Sequence, residues 1–126
     1  MDVIDVSSLG SSVPDKHFKL HARQISASAG LTVSYNFMEP DGGAEMHTHE
    51  DRDHVFYVLE GEMKVFDGIV EQLVPCGSAL VVKAGEAHQV TGTGKMPCVY
   101  LLVTSSGNRA GQGVKRPWED RRSEAW

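Results

Sequence analysis

The chain has 126 residues, 40% of them hydrophobic and 23% charged, which suits one globular domain with one core. A formal net charge of -5 argues against nucleic acid and anionic membranes as partners. No apolar run approaches the ~20 residues that cross a bilayer. The opening MDVIDVSSLG has no basic leader region, so the expected location is cytoplasmic. Two cysteines, Cys76 and Cys98, stand in no CxxC pattern and are too few for a disulfide framework. They read as small, semi-buried reduced residues, with a redox or ligand role as the alternative.

In chain order, residues 1–16 read as a lead-in arm, with a short edge strand at Val3–Val6. In HFKLHARQIS, the weak alternation of Phe18, Leu20 and Ala22 predicts a strand with His17 and His21 on its polar side. LTVSYNFM alternates cleanly. Leu31, Val33, Tyr35 and Phe37 share one face, and Thr32, Ser34 and Asn36 share the other. Glu39-Pro40-Asp41-Gly42-Gly43 has the composition of a turn. Val55–Glu60 and Met63–Phe66 read as strands around a corner at Gly61. Asp67-Gly68 signals a hairpin into Ile69–Val74. Ala79–Val82, apolar throughout, reads as a doubly buried strand. His88–Thr91 and Val99–Thr104 complete a series of short strands separated by Gly and Pro. That spacing predicts an all-β sandwich or barrel over residues 17–104. Residues 105–126 form a C-terminal extension, polar and locally basic but holding Trp118 and Trp126. It reads either as a loosely docked end or as a segment packed through Trp118, with a short helix at Pro117–Ala125.

The chemistry-bearing cluster is His47, His49 and His54, with His88 later in the chain. Neutral imidazole is the commonest side-chain ligand of first-row transition metals. Two residues apart on extended chain, His47 and His49 point to one side. His54 opens the next strand, and His88 follows the Gly85 turn. Together they predict one metal site. His54 is a direct ligand in this reading, or alternatively a hydrogen-bond partner of a metal-bound water. Glu45, Glu50, Asp51 and Asp53 flank the cluster and read as solvated loop charges.

The spacing resembles the two sequence motifs of the cupin superfamily. His47-x-His49, four residues, His54, six residues and Gly61 follow the first motif. Gly77, five residues, Lys83-x-Gly85, two residues, His88, three residues and Gly92 follow the second. Three positions depart: His54 stands where the family has Glu, Lys83 where it has Pro, and Gly92 where it has Asn. The resemblance implies a double-stranded β-helix, or jelly-roll barrel, with a metal inside and a homodimeric assembly. Four-histidine members carry manganese, iron, zinc or nickel, so the resemblance implies a divalent transition metal of open identity. Without the carboxylate, the metal keeps more positive charge, which should favour an anionic co-ligand and the metal's reduced state.

Strand parity places Phe56 and Val58 on the face of His54, and Val90 on that of His88. Tyr35, Phe37, Met46, Tyr100 and Leu102 are further expected cavity-lining residues. An apolar lining around a metal suits a small organic molecule. The function expected is a metal-dependent, dioxygenase-like enzyme. The alternatives are a redox-neutral cyclase or isomerase of the polyketide-cyclase kind, or a non-catalytic module that binds a small ligand or senses a metal.

Overall fold

A computed structural model describes residues 1–105. Among these residues, eight antiparallel strands carry the fold. β1 is His17–Ala27 and β2 is Leu31–Ala44. β3, His54–Glu60, and β4, Glu62–Phe66, are separated by Gly61 alone. β5 is Glu71–Pro75, β6 is Ala79–Val82, β7 is Gln89–Gly92 and β8 is Cys98–Ser105. The hydrogen-bonded order is β5-β4-β7-β2-β8-β3-β6, with β1 beside β2. This is the jelly-roll barrel expected from the motifs. Its core lies inside the barrel and includes Met38, Phe56, Val58, Met63, Val65 and Val90.

Two places make the sheet close on itself. The first is β2, which pairs with β8 from Leu31 to Met38 and then reaches β7 at Gly43. The expected turn at residues 39–43 is therefore a strand that passes from one sheet to the other. Pro and Gly mark close backbone approach there rather than a reversal. A Cβ on Gly92 would lie 2.2 Å from the Pro40 carbonyl oxygen. The second is Gly61, where the chain leaves the β3–β6–β8 side for the β4–β5–β7 side. Its φ is +72°, and the Pro97 carbonyl oxygen would lie 2.1 Å from an added Cβ. Only glycine meets both conditions.

Other expectations are corrected. Residues 3–6 hold no strand; a single 3₁₀ turn occupies Val6–Ser8, and Ser12 bridges to Ala22. β6 is not doubly buried: Val82 faces the core while Val81 is 56% exposed. The hairpin after β4 takes two more residues than expected. The Asp67 carboxylate accepts from the backbone N–H groups of Ile69 and Val70, so pairing resumes only at Glu71. Cys98 is buried, but Cys76 is exposed, and both are free thiols. The expected helix at 117–125 and the packing of Trp118 lie outside the described residues.

Candidate metal centre

His47 and His88 face each other across an isolated two-residue bridge. Each backbone N–H donates to the other's carbonyl, at 3.1 and 3.0 Å. This fixes the two Cα atoms as opposite neighbours and brings the ring centres to 4.5 Å. The Gly85 N–H donates to the His49 carbonyl at 2.8 Å, extending the pairing and holding His49 beside them. The His49 ring is 4.8 Å from that of His47 and 5.8 Å from that of His88. One ring nitrogen from each of His47, His49 and His88 lies within 4.8 Å of the others. Three nitrogens bound to one ion at 2.0–2.1 Å stand about 3–3.5 Å apart. Side-chain movements of about an ångström bring the three rings to that separation.

The tautomers follow from the hydrogen bonds. A carbonyl can only accept, so each ring nitrogen that meets one carries the hydrogen. His47 donates from Nδ1 to the Glu45 carbonyl at 2.6 Å, and His88 from Nδ1 to the Glu86 carbonyl at 3.0 Å. Both are left with Nε2 as the free lone pair, the arrangement that orients a metal-ligating histidine. His88 Nε2 is buried with no hydrogen-bond partner among the described residues. An orphaned acceptor at the centre of a histidine cluster fits a metal-ligating nitrogen better than a packing fault.

His54 opens β3 beside this trio. Its ring centre is 4.5 Å from that of His49, and its Nδ1 is also buried with no hydrogen-bond partner among the described residues. Burial, reinforced by His49, pushes its pKa down to about 3. Burial likewise lowers His49 and His88. All three imidazoles are therefore neutral at physiological pH, the form that binds metal.

The cluster forms one end of a cavity of about 200 Å³. Phe56, Val90, Tyr100 and Leu102 line it as expected. Tyr35 and Phe37 do not. They lie on the outer face of β2, bordering a separate surface pocket with His21 and Arg23. Met46 is likewise 39% exposed. In β2 it is the polar face, Ser34 and Asn36, that turns inward. Alternation defines two faces and predicts the apolar one as the interior; the barrel instead uses the polar one to line its cavity.

His17 also lines the cavity, with its ring 5.9 Å from that of His47. His21 instead bonds to Glu39 at 3.0 Å on the outside. A bulge between Phe18 and Leu20, where Lys19 has φ +49°, reverses the parity between the two histidines. Neither residue type nor spacing signalled that bulge. Among the described residues no carboxylate lines the cavity. Asp53 accepts from the Ala84 backbone N–H at 2.8 Å, a loop-fixing role.

Residues 36–104, more than half of the chain, match the family model of the cupin domain. No curated protein sequence matches the chain. Solved structures do. The polyketide cyclase RemF from Streptomyces resistomycificus aligns with a TM-score of 0.76 at 21% identity, over 83% of this chain and 79% of that one. A predicted oxalate decarboxylase from Thermotoga maritima aligns at 0.73 and 16% identity, over 83% and 99%. The protein TT1209 from Thermus thermophilus aligns at 0.68 and 29% identity, over 84% and 98%. Barrel topology, motif spacing and family match agree, and the chain belongs to the cupin domain family.

Proposed function

We propose that this chain is a metal-dependent enzyme acting on a small, oxygen-bearing organic substrate. His47, His49 and His88 hold a divalent transition metal, and His54, whose ring centre is 4.5 Å from that of His49, is the fourth donor. The observation that carries the reading is the convergence of three imidazoles, two with Nδ1 pinned to backbone carbonyls, at one end of an apolar cavity. A manganese, iron, zinc or nickel ion held by neutral imidazoles alone would supply an almost undiminished double positive charge for an anionic oxygen pair, with redox capacity in the first two cases. The chain's own residues do the rest. The bridge between His47 and His88 fixes donor positions before substrate arrives. Phe56, Val90 and Leu102 exclude water and favour an organic body over a sugar phosphate.

Dioxygenase-type chemistry stands first because the apolar lining beside the histidines suits an organic body held against a redox-capable ion. A redox-neutral cyclase stands second on two observations. One is the likeness to RemF. The other is His17, which lines the cavity and donates Nδ1–H to the Asp15 carbonyl, leaving an Nε2 lone pair for proton transfer. Metal analysis of protein purified without supplement, followed by oxygen uptake on catechols and β-diketones, separates them. The expected result is iron or manganese with oxygen consumption. Zinc with substrate conversion and no uptake selects the cyclase. Protein that neither retains nor accepts a transition metal contradicts both.

A further inference from the structure

Asn36 and Tyr100 are directly opposed on β2 and β8, each is only 2% exposed, and both line the histidine-ended cavity. The Asn36 amide donates to the Ser34 carbonyl at 3.2 Å and to Ser34 Oγ at 3.0 Å. These bonds set the amide's orientation and leave its carbonyl oxygen as an acceptor. Neither that oxygen nor the Tyr100 hydroxyl meets a hydrogen-bonding group of another described residue, and both open onto the cavity rather than being sealed in the core. Polar atoms of two buried side chains on one cavity call for a partner.

We infer that Asn36 and Tyr100 form a second recognition point, away from the histidines, which takes a hydroxyl group of the substrate. The inference rests on the metal-dependent reading above and narrows its substrate class. Asn36 Oδ1 only accepts, and the Tyr100 O–H donates. Burial raises the Tyr100 pKa, so the phenol stays protonated. The group that satisfies both must donate to one and accept from the other, as an alcohol or phenol does. A carboxylate or ketone would set its lone pairs against Asn36.

The position sets the substrate's shape. On β3 and β8, His54 lies opposite Thr104, Phe56 opposite Leu102 and Val58 opposite Tyr100. Tyr100 is thus two strand repeats beyond His54, roughly 13 Å along the backbone. Phe56 lies between the two ends, its ring centre 6.5 Å from that of His88 and 5.7 Å from that of Tyr100. The substrate is a short body lying against Phe56, with a chelating oxygen pair at one end and a hydroxyl at the other.

The test compares three probes on zinc- or nickel-loaded protein by calorimetry: catechol, a catechol with a hydroxyethyl tail and a catechol with a propyl tail of nearly equal size. The propyl compound gains more from burial alone, so a preference for the hydroxyl requires a polar partner. The expected preference is about tenfold for the hydroxyethyl compound. In Tyr100→Phe and in Asn36→Leu the ratio falls to one or below, with metal content retained. Equal or weaker binding of the hydroxyethyl compound by wild type, with catechol itself bound, overturns this inference alone and leaves the pair to a structural water. That comparison needs no variant to fold. Failure of loaded wild type to bind any of the three overturns the metal-centre reading and this inference with it.

Discussion

A His88→Ala protein binds zinc or nickel more than about a hundredfold more weakly than wild type. Loss of a hydrogen bond that only orients a ligand already costs about 10- to 100-fold; here a donor itself is removed. Among the described residues, His88 is one of three whose ring nitrogens come within 4.8 Å of one another, and its Nε2 is one of two buried ring nitrogens without a hydrogen-bond partner. Its bridge to His47 is made by backbone atoms, so alanine keeps the local fold while deleting the donor. Competition with a chromophoric chelator reads the affinity directly. His21→Ala provides the comparison, because His21 bonds to Glu39 on the outside of the barrel. Equal affinities for the two variants would show that the cluster is not where metal binds.

Gly61→Ala carries the largest expected loss of stability. The substitution places a side chain at φ +72°, in left-handed space that costs an L residue about 1–2 kcal/mol. It also drives the new methyl to 2.1 Å from the Pro97 carbonyl oxygen, an overlap with backbone that rotamer changes cannot relieve. Overpacking of this kind adds about 1–3 kcal/mol. The combined loss is about 3 kcal/mol, which lowers Tm by about 10 °C for a domain of this size. Gly68→Ala isolates the first effect. Gly68 has φ +102°, but nothing lies within 4 Å of its added Cβ. Thermal melts should therefore place Gly68→Ala well above Gly61→Ala. Coincident melts would remove the steric account of the crossing between the two sheets.

Much of this arrangement was legible in the residues. The spacing of His47, His49, His54 and His88 predicted their meeting, and short strands bounded by Gly and Pro predicted the barrel. The failures share a cause. Alternation in β2 defines two faces but not which one is enclosed. Tyr35 and Phe37 went outward because the inner face supplies polar groups, Ser34 and Asn36, to a cavity. Pro40, Gly42 and Gly43 have turn composition because strands cross closely there, a relation to Lys19 and Gly92 that no local window contains. His17 reached the cavity through the irregularity at Lys19, which stands unpaired opposite residues 39–42 of β2 and whose positive φ changes the face of its neighbours. At residue 92 this chain has Gly where the family motif has Asn. In the fold Gly92 sits against Pro40, and Asn36 supplies the buried amide from another strand.

X-ray absorption at the metal edge of loaded protein addresses the centre most directly, because imidazole scattering identifies and counts histidine ligands. The expected spectrum has three to four imidazoles at about 2.0–2.2 Å, losing one in His88→Ala. A first shell of oxygen alone, or a count that His88→Ala leaves unchanged, would contradict a metal held by the histidines of this barrel.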